Sequence, residues 1–185
     1  MSKKVLILSA SPRRGGNSDL LCDQFMIGAK ESGSEVEKIF LRDKKINYCM
    51  ACDACQSNGG KCAQKDDMAE VLDKIMEADV IVMATPVYFY SMDAQMKTLI
   101  DRTYSRCRKI SDKEMYFIAT AADPKKQSME RTIDGLRGFI SCLDGAKEKG
   151  TIYGTGAWNK GDIKGSEAME QAYEMGKTAC DSRRI

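Results

Sequence analysis

Five short apolar runs, at residues 4–9, 35–41, 79–85, 114–120 and 149–155, recur along the 185-residue chain, and the segments between them carry apolar residues at helical spacing. This alternation restricts the possible folds more than any other feature. A run such as Val5-Leu6-Ile7-Leu8 is continuously apolar, as a strand buried on both faces must be, and strands joined through helices are brought parallel. Met68, Val71, Leu72, Ile75 and Met76 mark one intervening helix, with Asp67 and Glu70 resembling a capping box at its start. Met129, Ile133, Leu136, Ile140 and Leu143 mark another, and Met169, Ala172, Tyr173 and Gly176 the last.

Five strands with right-handed crossovers predict an α/β chain: a flavodoxin-like, doubly wound five-stranded parallel sheet in the order 2-1-3-4-5, three layers deep as α/β/α. No repeat or interdomain linker interrupts residues 1–185, so they read as one domain with a cysteine-rich insertion at about 46–65. Pro12, Pro86 and Pro124 all follow predicted strands, at the sheet edge where such folds bind ligands.

Composition narrows the chemistry. The 29 Lys and Arg against 27 Asp and Glu are scattered instead of gathered, which argues against nucleic acid as a partner. No apolar run approaches a membrane span and Met1-Ser2-Lys3-Lys4 leads straight into a strand, so a cytoplasmic protein is expected. The eight cysteines then read as thiols or metal ligands, and the absence of histidine removes Ser-His-Asp triads, Cys-His pairs and His-ligated zinc. Chemistry near neutral pH must come mainly from something bound.

The segment Ser9-Ala10-Ser11-Pro12-Arg13-Arg14-Gly15-Gly16-Asn17-Ser18 joins the first strand to a helix start. It offers the Ser9, Ser11 and Ser18 hydroxyls, the Asn17 amide, the Arg13 guanidinium and the bare N–H groups of Gly15 and Gly16. Hydrogen bonds to a charged phosphate contribute about 1.5–3 kcal/mol each, and a helix N-terminus attracts anions. The loop is neither GxxxxGK[ST] nor GxGxxG, so one terminal phosphate suits it better than a triphosphate or a dinucleotide. Local chemistry alone also allows a plain strand-to-helix turn. Across the reversal of strand order stands Thr85-Pro86-Val87-Tyr88-Phe89-Tyr90-Ser91, whose aromatic side chains fit a flat conjugated ring or, alternatively, a neighbouring subunit. A ring with one phosphate describes FMN. The loop at Thr120-Ala121-Ala122-Asp123-Pro124 faces the same edge, and Lys125 and Lys126 follow as surface lysines able to attract the extra phosphate of NADPH.

Cys49, Cys52, Cys55 and Cys62 form CxxCxxCx6C after the second strand. The spacing suits a 4Fe–4S cluster; a four-thiolate zinc site and free or oxidised thiols are the alternatives. Cys22, Cys107, Cys142 and Cys180 fall in predicted helices and read as small buried side chains.

Together these segments, with Lys65-Asp66-Asp67-Met68, Gln95-Met96-Lys97-Thr98-Leu99-Ile100-Asp101-Arg102 and Lys160-Gly161-Asp162-Ile163-Lys164-Gly165, resemble the flavodoxin-fold NAD(P)H-dependent FMN reductases, most closely the iron–sulfur flavoprotein branch. The resemblance implies that Ser9, Ser11, Arg13, Asn17 and Ser18 hold the FMN phosphate, that 86–91 line the isoalloxazine and that the four clustered cysteines hold a 4Fe–4S centre. It implies a homodimer or homotetramer with FMN near the subunit contact and the helix after Ser91 in the interface. Ala121-Ala122-Asp123 departs from the resembling family, in which glycines often stand there. The resulting expectation is an FMN-dependent oxidoreductase in which the protein positions the cofactor, with no acid-base side chain required for the central step. NAD(P)H or a ferredoxin-like carrier would be the donor and a small molecule the acceptor. The rival readings are a cluster-free flavin, quinone, azo or nitro reductase, and a zinc-stabilised binding module.

Overall fold

A computed structural model describes residues 2–179. Its central sheet contains β1 (Lys4–Ser9), β2 (Glu35–Phe40), β3 (Val80–Tyr88), β5 (Glu114–Thr120) and β6 (Lys147–Gly154), all parallel and ordered β2-β1-β3-β5-β6. That is the predicted order, with one addition. A two-residue strand, β4 (Ser91–Met92), folds back antiparallel on the end of β3 and brings the sheet to six strands.

Strand alternation distributes the core to both faces. Leu6, Leu8, Ile81, Met83, Met115 and Phe117 point to one side, under α3 (Met68–Glu77), α4 (Ala94–Arg102) and α5 (Glu130–Ile140). Val5, Ile7, Val80, Val82 and Ile118 point to the other, under α1 (Asn17–Glu31) and α6 (Glu167–Ala179). The two helices of that second layer cross at backbone distance. A Cβ on Gly28 would collide with the Tyr173 carbonyl, and one on Gly176 with the Phe25 carbonyl, so only glycine fits at either crossing point.

The helix faces read from sequence are the ones buried, but the capping box at α3 does not form. Asp67 instead accepts from the Lys45 backbone N–H (2.6 Å) and Glu70 pairs with Lys44 (3.0 Å). The neighbouring Asp66 accepts from the Met68 N–H (3.2 Å). Both acids are drawn toward the chain arriving from β2, which outweighs the local motif.

Candidate functional site

The loops leaving the carboxyl ends of β1, β3, β5 and β6 enclose a cavity of about 450 Å3. Its floor is the turn into α1. Gly16 caps that helix in an extended conformation with no side-chain cap, so the N–H groups of the first turn are left for a ligand. The Ser18 hydroxyl lines the cavity, is 1% exposed and has no hydrogen-bond partner among the described residues. A Cβ on Gly16 would lie 2.8 Å from Ser11 Oγ and 2.9 Å from the Arg13 carbonyl, so the cradle exists only because that residue is glycine. Ser11 accepts from the Arg13 N–H (3.2 Å), and the Arg13 guanidinium stands on the wall with no ion pair among the described residues. An orphaned buried hydroxyl, an uncapped helix end and a free cation on one surface fit a phosphate group.

Ser9 takes a different place. It is completely buried behind the loop, donating to Asp19 Oδ1 (3.2 Å), while Gly15 N–H donates to Asp19 Oδ2 (2.8 Å). Lys38 reaches the same carboxylate (2.8 Å). Burial pulls the Lys38 ammonium down, but its bonds to Asp19 and Asp23 outweigh that and hold it above the usual lysine range. Beneath them burial pushes the Cys22 thiol far up, which leaves it an inert core group. Pro12 also lies off the cavity wall, its carbonyl accepting from Arg42 (2.9 Å).

The opposite lip is the β3–β4 hairpin. Pro86, Val87, Tyr88 and Phe89 line the cavity, and the chain reverses through Phe89 (φ 50°) and Tyr90 (φ 62°), both in the left-handed region. Two left-handed central residues match the strand twist of a tight hairpin, at a steric cost that glycine would avoid. Phe89 is fully exposed at the tip. Tyr90 and Ser91 turn away: the Arg131 guanidinium stands 5.9 Å from the Tyr90 ring, and Ser91 pairs with Tyr88 in the ladder. Behind the hairpin Asp93 caps α4 by accepting from the Met96 N–H (3.0 Å) and donates its own N–H to Thr85 Oγ1 (3.0 Å). Burial pushes the Asp93 carboxyl up to about 6, against the Met96 N–H and the Thr85 hydroxyl, which donates to Oδ1 (3.2 Å), and its Oδ2 has no partner among the described residues.

Thr120, Ala121 and Ala122 form a third wall, and a fourth that sequence reasoning missed comes from Ala157, Trp158 and Lys160. These two are stitched together, since Ala121 N–H donates to the Gly154 carbonyl (2.9 Å) and Ala157 N–H to the Ala121 carbonyl (2.8 Å). Asn17 holds the 157–163 loop from below. Its amide donates to the carbonyls of Ala157 (3.2 Å) and Asn159 (2.8 Å) and accepts from the N–H groups of Gly161 (3.0 Å) and Ile163 (3.4 Å). The signal available in the sequence was position: the loop leaves the last strand at the same sheet edge. Lys126 lies 4.1 Å from the Tyr153 ring centroid, over its face.

The cysteine-rich segment runs between β2 and α3. Cys49, Cys55 and Cys62 are half-buried, Cys52 is exposed, and all four are free thiols. Among the described residues no three Cys, Asp or Glu side chains converge at metal-ligating distance, so the thiols share a segment without forming a preassembled cage. Buried Arg102, at the end of α4, anchors the segment. Its guanidinium forks onto Asp66 (2.6 and 2.9 Å), donates to the Asn47 carbonyl (2.7 Å) and points an N–H at Cys62 Sγ (3.6 Å). The hydrogen bond from Arg102 holds the Asp66 carboxyl below the ordinary carboxylate range. Cys49 also faces a second cavity of about 440 Å3, shared with Cys107 and Cys142. Cys107 is half-buried and Cys142 exposed, unlike the buried side chains expected; Cys180 lies outside the described residues.

Among the described residues no helix is long and apolar enough to cross a membrane. A family model described as NADPH-dependent FMN reductase matches residues 3–145. An iron–sulfur flavoprotein of Methanocaldococcus jannaschii is 34% identical over 96% of both chains. An iron–sulfur flavoprotein of Archaeoglobus fulgidus is 42% identical over 99 residues, 54% of this chain and 44% of that one, so the match spans less than half of that relative. Among solved structures, the NAD(P)H:quinone oxidoreductase of Methanothermobacter marburgensis superposes with a TM-score of 0.77 over 97% of this chain and 96% of that one, at 18% identity, which is a likeness of fold. The chain therefore belongs to the NADPH-dependent FMN reductase family, on its iron–sulfur flavoprotein branch.

Proposed function

We propose that this FMN-dependent oxidoreductase passes electrons from a reduced nicotinamide or a ferredoxin-like carrier to a small-molecule acceptor, with FMN seated in the four-walled cavity. The observation that carries the reading is the unpartnered, buried Ser18 hydroxyl at the uncapped start of α1, facing an aromatic lip across a space of cofactor size. The N–H groups of 17 and 18, the Ser11 and Ser18 hydroxyls and Arg13 would hold the phosphate, and 86–89 with 120–122 would flank the ring. Bound there, FMN supplies two-electron uptake and one-electron release. The chain's own part is to orient the ring and exclude water from one side of it. The apolar wall of Pro86, Val87, Ala121 and Ala122 does this without an acid or base.

Cys49, Cys52, Cys55 and Cys62 would hold a 4Fe–4S centre, supported by their spacing, by the names of the relatives and by the guanidinium N–H aimed at Cys62 sulfur, a contact of the kind that tunes such centres. The second reading, a reductase without a cluster, is favoured by the unconverged thiols. Iron and acid-labile sulfide in protein purified without oxygen separate the two: a full cluster per chain is expected, and flavin without iron leaves the cluster-free reductase. The exposed Phe89 and Tyr90 and the neighbouring α4 suit a homodimer or homotetramer contact in the cytoplasm. Flavin bands in the absorption spectrum, retained through gel filtration, test the cavity assignment itself; a chain that neither carries nor takes up FMN refutes it.

A further inference from the structure

We infer that Asn17 and Lys160 form a phosphate clamp: Asn17 pins the 157–163 loop across the turn into α1, and Lys160 on that loop is the second cation, beside Arg13, for the ligand's phosphate. The proposal rests on the FMN reading of the cavity. Its first support is a count. An amide side chain has two N–H donors and two oxygen lone pairs, and all four of Asn17's are taken by the 157–163 backbone. The Asn17 side chain therefore has nothing left for a phosphate, although Asn17 lines the cavity with Gly16 and Ser18 in the first turn of α1.

Its second support is where that loop delivers Lys160. A Cβ built on Gly15 would lie 3.2 Å from Lys160 Cε and 3.5 Å from Nζ, so the ammonium hangs over the turn, on the cavity wall. Lys160 Nζ has no hydrogen-bond or ion-pair partner among the described residues, and the nearby Asp162 is occupied by the Asn159 N–H (2.6 Å). Charge supplies the third. The carboxylate of Asp19 lies directly behind the turn and is offset by Lys38, so the positive charge facing a phosphate must come from the cavity side. A loop without a lysine of its own is thus completed by one that is 145 positions further along the chain than Gly15.

The test compares FMN with riboflavin, which lacks the phosphate, by flavin fluorescence quenching on the full chain stripped of flavin. Lys160→Met should weaken FMN about tenfold, leave riboflavin unchanged and flatten the salt dependence of FMN binding; Lys160→Arg should restore affinity. Asn17→Ala should lower the FMN-to-riboflavin preference by a similar factor, and the double variant should lose no more than the worse single one, because both act through one ammonium. Amide hydrogen exchange at Gly161 and Ile163 should quicken in Asn17→Ala. FMN binding unchanged in Lys160→Met overturns the clamp, as do fully additive losses or unchanged exchange. A parent chain that binds neither flavin refutes the underlying FMN reading instead.

Discussion

The cavity and the cysteine segment are held in place by different means. The cavity walls continue the sheet: Ala10 N–H donates to the Ala84 carbonyl (2.9 Å), Ala121 to Gly154 and Ala157 to Ala121, so ladder hydrogen bonds run past the strand ends into the loops. The segment from 44 to 67 contains no strand and only the four-residue helix α2 (Ala54–Ser57), and it bends through left-handed Ala51 and Asp53. Its buried polar hold on the core is the Arg102–Asp66 pair, with side chains 2% and 4% exposed, while Ile46 packs against the core from the same segment. A binding wall built by the sheet is set by the fold. A segment without strands, held by one buried ion pair, the half-buried Ile46 and a few edge contacts, depends far more on single side chains for its shape.

The sharpest break in this comparison is Arg102→Met. Removing one partner of a buried ion pair leaves the other charge uncompensated and costs about 3–5 kcal/mol. Denaturant unfolding should report that loss, and limited proteolysis below the transition should cut within 44–66 while flavin stays bound. Cuts spread over the whole chain, or flavin lost together with the segment, would mean that the two regions are one cooperative unit.

Next in size is the pH response, in which the two regions carry carboxyl groups shifted in opposite directions. Asp93, behind the hairpin, is raised to about 6, so the folded chain holds its proton more tightly than the unfolded chain does. Its contribution is full below the unfolded value near 4 and is lost as pH rises through about 6, a change of up to about 3 kcal/mol. Asp66 is lowered, so its contribution is present above the unfolded value and is lost on acidification. Stability curves of Asp93→Asn and the parent should therefore diverge between pH 4 and 7 in favour of the variant. Parallel curves would show that the Asp93 carboxyl is not desolvated. Within the cavity a smaller effect separates ligand contact from support. Ser18→Ala should weaken FMN about tenfold while leaving stability unchanged or up to about 1 kcal/mol higher, because the hydroxyl it removes has no partner in the protein. A loss of stability instead would assign that hydroxyl to the fold.

What the sequence disclosed follows the same division. The parallel sheet was legible because burial on both faces leaves continuous apolar runs in β1, β3 and β5, and the cavity's place followed from strand order. Functions of single polar residues were legible only where their partners are local. Ser9 reads as a phosphate donor until Asp19, ten positions on, takes its hydroxyl, and Asn17 reads as one until a loop about 140 positions away saturates its amide. Trp158 lies between β6 and α6 in a stretch without apolar periodicity, and Lys160, which opens the Lys160–Gly165 stretch that carries part of the resemblance, had no local signal of its role on the cavity wall. The β4 hairpin was hidden because Phe89-Tyr90 has none of the Asn or Gly that marks a left-handed turn.

That unusual turn supplies the finest distinction. Phe89 and Tyr90 share the left-handed conformation, but only Phe89 lines the cavity. Glycine at either position removes a steric cost of about 1–2 kcal/mol and gives back about 0.5–1 kcal/mol through the freer unfolded chain, for a net gain of about 0.5 kcal/mol. Tyr90→Gly should show that gain in thermal unfolding with flavin affinity unchanged. Phe89→Gly should show the same gain and also release flavin more readily, because the ring it removes forms the lip. If both substitutions weaken flavin equally, the hairpin acts through its conformation and the Phe89 side chain adds nothing; if neither does, the aromatic tip belongs to a contact outside the cavity, such as a second copy of the chain.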